Sequence, residues 1–212
     1  MKVIEVDLKN DFSKALDETF AVLKLGGVIV YPTDTLYGLG TNALEAGPVE
    51  RIFKIKARAK DKPLPIIVKN LNWAKELAYI YEKEEKILKS VWPGPITVIL
   101  PKKNIVPSAV TAGKSGVALR ISKNHFVDKL LGRFGYPLTA TSANISGEEP
   151  SMKISEIVEV FKNVHNKPDL IIDAGDLPQS EPSTVLDLTS DKPKILRVGP
   201  VKPETLRKIL EI

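Results

Sequence analysis

The stretch IFKIKARAKDKPLPIIV, Ile52 to Val68, passes from a helical pattern to a strand pattern across a basic break. Apolar Val49, Ile52, Phe53 and Ile55 fall on one helical stripe, and LPIIV (64–68) is a short apolar run that reads as a strand. Between them stand Lys54, Lys56, Arg58, Lys60 and Lys62, one acid, Asp61, and then Pro63. On a continuous helix Lys56 and Arg58 would point roughly 200° apart and could not share a ligand. They can serve one site only if the helix breaks at or just before Arg58, and Pro63 favours extended backbone soon after. On charge alone the better reading is a basic last turn that complements the helix dipole and sits in water.

The same alternation runs outward in both directions. VIEVDL (3–8) and VIVYPT (28–33) read as strands; DFSKALDETFAVLKLGG between them reads as a helix with Asp11 or Ser13 near its N-cap and Gly26-Gly27 as its stop. A loop with Gly38 and Gly40 follows. Residues 72–91 read as two short helices, ITVIL (96–100) and GVALRIS (116–122) as strands, and HFVDKLLGRFG as a helix ending at Gly135. PLTAT (137–141) leads into SANISG, and a helix covers 154–162. LIIDAG, STVLDLT and KILRVG are short strands whose succession without helices predicts antiparallel pairing. PETLRKILEI closes as a helix with Pro203 in its first turn. Interleaved helices and strands predict an α/β fold on a mixed sheet. No repeat, low-complexity tract or linker interrupts the chain, so residues 1–212 read as one domain.

Composition narrows the chemistry. The 212 residues are 43% hydrophobic, enough for one sizeable core. A formal charge of +5 permits nucleotide or nucleic-acid partners without demanding them. The absence of cysteine excludes disulfides, thiolate metal sites and a cysteine nucleophile. The two histidines, His125 and His165, sit in no recognisable motif and are too few for a His-rich metal site. Catalysis would therefore fall to Lys, Arg, carboxylates and backbone amides. No apolar run approaches ~18 residues and the N-terminus lacks a signal-peptide core, so a cytosolic protein without a membrane span is expected.

Several stretches could carry a site. VYPTDTLYGLGTNA (30–43) gathers Thr33, Asp34 and Thr35 at a strand end, where open α/β sheets often hold ligands. Its two glycines allow a tight turn or close ligand approach, yet it is neither a Walker A nor a G-x-G-x-x-G loop. The alternative is a capped turn in which Asp34 bonds local amides. TATSANISG (139–147) offers room, donors and acceptors, or simply an Asx or Ser turn. Arg120, within GVALRIS, needs a partner or an anionic ligand if it faces inward. Ser183 in EPSTVLDL and Arg197 in ILRVGP raise the same question, whereas WPGPITVIL supplies a Pro-Gly turn and an aromatic of structural character.

Taken together and in order, YPTDTLYGLG, IFKIKARAKDKPLPIIV, WPGPITVIL, GVALRIS, TATSANISG, STVLDL and ILRVG resemble the YrdC-domain family, the threonylcarbamoyl-AMP synthases, over nearly the whole chain. The family's Lys-x-Arg and Ser-x-Asn pieces are Lys56-Ala57-Arg58 and Ser142-Ala143-Asn144 here. The resemblance implies a twisted mixed parallel/antiparallel sheet with flanking helices and a basic concave groove. It implies synthesis of L-threonylcarbamoyladenylate from L-threonine, bicarbonate and ATP with release of pyrophosphate, and transfer of the product to a tRNA-modifying complex. Carried over, Lys56, Arg58 and Lys62 would face the nucleotide phosphates, with Lys56 and Arg58 catalytic. Asn144 and Arg197 would contact ATP; Thr35, Arg120, Ser142 and Ser183 would hold threonine.

That reaction suits the composition. A carbamate oxygen can attack the α-phosphorus itself, leaving the protein to position reactants and neutralise charge. Mg²⁺ is expected on the ATP phosphates, held mainly by substrate oxygens and water. A double-stranded RNA or tRNA-binding module of the same fold is the alternative, disfavoured by only 6% aromatic residues. The chain departs from many relatives in having Ala59 after the arginine, Lys69 where some carry His, and a loop, SGEEPS, one residue longer than usual. It resembles the short form of the family, without the small C-terminal domain of long members.

Overall fold

In the computed structural model, which describes residues 1–210, the strands divide into two mixed sheets where one was expected. The chain opens with β1 (Lys2–Glu5), α1 (Ser13–Lys24), β2 (Ile29–Tyr31), β3 (Gly38–Gly40), α2 (Ala46–Lys56) and β4 (Ile66–Ile67). It continues with α3 (Leu71–Leu77), α4 (Glu82–Val91), β5 (Ile96–Pro101), α5 (Ser108–Thr111), β6 (Gly116–Arg120) and α6 (His125–Phe134). The remainder is β7 (Leu138–Thr139), β8 (Thr141–Ser142), α7 (Ile154–Lys162), β9 (Leu170–Asp173), β10 (Thr184–Asp187), β11 (Lys194–Arg197) and α8 (Pro203–Leu210). The C-terminal helix begins at Pro203 as expected; Glu211 and Ile212 lie outside the described residues.

One sheet runs β1-β9-β2-β3-β8 and the other β11-β10-β5-β6-β4-β7. The late strands pair only partly as expected. β10 and β11 are antiparallel, but β10 also pairs parallel with β5, and β9 leaves for the first sheet, parallel to β1 and β2. Burial explains the departure of β9: Leu170, Ile171 and Ile172 are fully buried, and such a strand needs a covered central position. The chain steps from one sheet to the other between β7 and β8, through Ala140. Leu138–Thr139 pairs with β4 of one sheet and Thr141–Ser142 with β3 of the other. Thr139 also reaches across, its hydroxyl donating to Leu39 O at 3.3 Å and its amide to Thr41 O at 3.0 Å.

The alternation of β2 divides the core. Val28 and Val30 join the large cluster of α2, β4, β5 and β6, whereas Ile29 and Tyr31 face a second cluster built by α1 and α6. Ile66 and Ile67 of β4 divide between the same clusters. The glycine loop of the sequence reading is instead strand β3, antiparallel to β2, with Tyr31 opposite Gly38. The reason is steric. The buried Tyr31 ring lies on the strand and donates its hydroxyl to Thr139 O at 2.9 Å. A Cβ on Gly40 would stand 2.5 Å from Tyr31 Cε1 and 3.0 Å from Thr139 O. Glycine here makes room for an aromatic ring across the strands.

Gly40→Ala is therefore expected to lower unfolding stability by about 1–3 kcal/mol, as for an overpacked core. Gly47→Ala, on α2 where an added Cβ meets nothing within 4 Å, should not lower it. Urea denaturation of both variants checks the contrast.

Candidate functional site

The step between the two sheets floors a cavity of about 320 Å³. Its wall brings together Thr35, Arg58, Arg120, Ser142, Asn144, Ser183 and Arg197, residues far apart in sequence. Thr33, Tyr37, Gly38, Ala140 and Thr141 complete the floor, and Glu148, Glu149 and Pro150 stand at another part of the wall. Lys56 and Lys62 are not on the wall.

α2 breaks just before Arg58, yet Lys56 and Arg58 do not share the cavity. Its last residue is Lys56, and Ala57 turns left-handed at φ 47°. Arg58 N donates to Phe53 O at 2.9 Å and Ala57 N to Lys54 O at 3.3 Å, the paired bonds of a Schellman stop. The two basic side chains then part. Lys56 turns inward and is 1% exposed; Nζ donates to Ser142 O at 2.5 Å, Asn144 O at 2.7 Å and Asn144 Oδ1 at 3.0 Å. Three acceptors match the three donors of an ammonium. Burial, then the nearby Arg58 guanidinium, pulls its pKa from 10.5 to about 7. Arg58 turns to the cavity, its Nε donating to Lys62 O at 3.2 Å and Nη2 to Pro63 O at 3.0 Å. Lys62 thus meets the site through its carbonyl, with its side chain exposed.

Asn144 is also engaged internally. Its Oδ1 accepts from Ser142 Oγ at 2.6 Å as well as from Lys56, and its Nδ2 donates to Ile145 O at 3.0 Å and Glu148 O at 2.6 Å. The carboxamide ties the α2 end to the long SGEEPS loop and thereby sets Glu148 and Glu149 at the cavity.

At the other side Arg120 ends β6, 6% exposed. Its Nε donates to Gly94 O at 3.0 Å and Nη1 to Thr35 Oγ1 at 2.9 Å. Nη2 lies 2.7 Å from Asp34 Oδ1, yet makes no aligned hydrogen bond and remains an unpartnered buried donor. Asp34 thus pairs with Arg120 instead of capping its own turn, a task that falls to Thr33, whose Oγ1 accepts from Thr35 N at 3.1 Å and donates to Leu36 O at 2.7 Å. Arg197, on edge strand β11, donates from Nε (2.9 Å) and Nη2 (2.7 Å) to Ser183 O, and the Ser183 hydroxyl is hydrogen-bonded to Thr97 Oγ1 at 2.8 Å. Burial, then Arg120, holds Arg197 below its usual pKa. Burial likewise lowers that of Arg58, which Asp61 partly offsets.

Sequence reasoning did not assign Tyr37, Thr97, Thr141, Glu148 or Glu149. Tyr37 was visible only as a member of the YPTDTLYGLG run; its hydroxyl donates to Gly175 O at 2.7 Å and its ring faces the cavity. Thr97 sits inside an apolar strand with no local signal. The cavity can bind a multiply charged anion beside a smaller polar molecule, using guanidinium groups and hydroxyls. No cluster of three or more His, Cys, Asp or Glu suited to a metal is present among the described residues.

The family model Sua5/YciO/YrdC, described as "Telomere recombination", matches residues 21–199. A Pyrococcus abyssi protein named threonylcarbamoyl-AMP synthase is 38% identical over 189 residues, 89% of this chain and 55% of that one. A Methanocaldococcus jannaschii relative is 34% identical over 208 residues, covering 98% of this chain and 96% of its own. Among solved structures, P. abyssi Sua5 complexed with L-threonine superposes with a TM-score of 0.92 at 34% identity, over 99% of this chain and 61% of that one. E. coli YciO gives 0.84 at 28% identity, over 97% and 98%. The chain thus spans little more than half of the P. abyssi protein and nearly all of the M. jannaschii one.

The Lys56 pKa carries a stability consequence. Below about pH 7 both native and unfolded chains hold its proton, and the full cost of burying the charge is present. Between about 7 and 10.5 the native state releases that proton while the unfolded chain keeps it, so stability rises with pH across that window. Urea unfolding measured across the window should show this rise, and Lys56→Met should remove its contribution to the slope.

Proposed function

The chain belongs to the Sua5/YciO/YrdC family, and on that premise we propose that it is an L-threonylcarbamoyladenylate synthase. The observation that carries this reading is the convergence of Arg58, Arg120 and Arg197 on one cavity that also presents Thr35, Ser142 and Ser183. Relatives of the same fold bear the synthase name, and one was solved with L-threonine. In this reading Arg120, through its unpartnered Nη2, takes the threonine carboxylate, and the hydroxyls of Thr35, Ser142 and Ser183 surround the rest of the amino acid. Arg58 and Arg197 take ATP phosphates. Lys56 acts from beneath by holding the Ser142–Asn144 turn in place.

The chemistry needs no protein nucleophile. The threonine amine combines with bicarbonate to give a carbamate and water. A carbamate oxygen then attacks the α-phosphorus, and the bond to pyrophosphate breaks. Guanidinium groups already fixed by carbonyls meet the developing negative charge with little reorganisation. A divalent ion would screen the phosphate charge; the cavity carboxylates available to it are Glu148 and Glu149, which suits an ion that arrives on the nucleotide. The product is a mixed anhydride, fit for transfer to tRNA by a partner complex in the cytoplasm. Among the described residues no helix is long and apolar enough to cross a membrane. An RNA-binding role is not favoured: Tyr37 is the one aromatic on the wall, which gives no stacking platform for bases.

Pyrophosphate release is expected only with ATP, bicarbonate and L-threonine all present; release that persists without threonine rules the assignment out. Arg58→Ala should lower kcat/KM by about a hundredfold, as for loss of a transition-state donor. Lys54→Ala, exposed on α2, should stay near wild type.

A further inference from the structure

The Arg120 nitrogen that the proposed reaction uses, Nη2, also stands against a residue with no assigned part. Asp34 follows β2, its side chain 15% exposed, and is not on the cavity wall. Its Oδ1 stands 2.7 Å from Arg120 Nη2 and also accepts the Ser122 hydroxyl. Ser122 Oγ in turn accepts Asn124 N at 3.3 Å, and the Asn124 carboxamide caps α6 by accepting Val127 N at 3.2 Å. A line of polar contacts therefore joins the start of α6 to Arg120.

Two bonds already hold the guanidinium, from Nε to Gly94 O and from Nη1 to Thr35 Oγ1. Two bonds fix a planar group in position but leave it free to tilt about the line joining them. A third contact, at the opposite nitrogen, stops the tilt. We propose that Asp34, braced by Ser122, is the positioning residue for carboxylate recognition, a role that rests on reading the cavity as the threonine site. It sets the Arg120 plane so that the remaining Nη2 donor is presented to the amino-acid carboxylate. Its negative charge also offsets that of Arg120, so the ligand carboxylate meets a directed donor beside a near-neutral pair instead of a bare cation. Selectivity then comes from geometry, which Asp34 supplies without touching substrate.

The test compares Asp34→Ala, Asp34→Asn and Ser122→Ala with wild type, using calorimetry for L-threonine binding and steady-state kinetics for both substrates. Asp34→Ala should weaken threonine binding and raise its KM by about tenfold or more, the scale of a lost contact to a charged group, with KM for ATP little changed. Asp34→Asn keeps an acceptor oxygen and should recover most of the loss. Ser122→Ala should raise the threonine KM by a smaller factor in the same direction, which keeps the role testable if Asp34→Ala does not fold. Unchanged threonine affinity in folded Asp34→Ala, an equal loss for ATP, or no recovery by Asn overturns the role. Tighter threonine binding by Asp34→Ala would also overturn it, because Asp34 would then be competing with substrate for Arg120. Failure of the wild-type protein to bind threonine would overturn the threonine reading itself, and the role with it.

Discussion

A buried lysine nitrogen must have its donors met, and in this protein that requirement joins the two halves of the site. Lys56 Nζ finds acceptors in Ser142 O, Asn144 O and Asn144 Oδ1, on a turn 86 to 88 residues away in sequence. The backbone repeats the connection, since Ser146 N donates to Lys56 O at 2.8 Å. The turn from Ser142 to Ser146 is thus held to the end of α2, and with it the floor on which the sheets meet. An unpaired buried ammonium would be far more costly than the exposed basic turn that composition favours. The turn and the lysine consequently have to be placed together.

The left-handed Ala57 makes this possible. A helix continued through Arg58 would point it roughly 200° from Lys56. The Schellman stop swings Arg58 toward the cavity while Lys56 goes to the interior. An alanine at φ 47° pays a steric penalty that glycine would not, of about 1–2 kcal/mol. Strain of this kind persists where surrounding contacts hold it, and here both neighbours of Ala57 are anchored through their side chains, Lys56 to Asn144 O and Arg58 to Pro63 O.

The cavity's electrostatics follow a common rule. Each guanidinium is tied to backbone carbonyls before any ligand arrives: Arg58 to Lys62 O and Pro63 O, Arg120 to Gly94 O, Arg197 to Ser183 O. Carbonyls orient a cation without cancelling its charge. Asp34 is the exception, the carboxylate that pairs with one of them. Loss of hydration, and then repulsion between Arg120 and Arg197, make the cavity suited to anions.

The sequence by itself determined the succession of elements and picked out many of the residues that line the cavity. The apolar stripe of α2, the two short helices between 72 and 91, the helix at 154–162 and the β10–β11 pairing were all legible, because periodicity and capping are local. So were Thr35, Arg58, Arg120, Ser142, Asn144, Ser183 and Arg197, through ordered motifs, and all line the cavity. Tertiary structure alone decided that the strands form two sheets, that Gly38 and Gly40 lie in a strand beneath Tyr31, and that Lys56 is buried while the Lys62 side chain stays outside. It also decided that Asp34 faces Arg120. These outcomes depend on contacts between residues tens of positions apart, and the same local pattern serves equally well for a solvated turn and for a buried one until the partner's position is known.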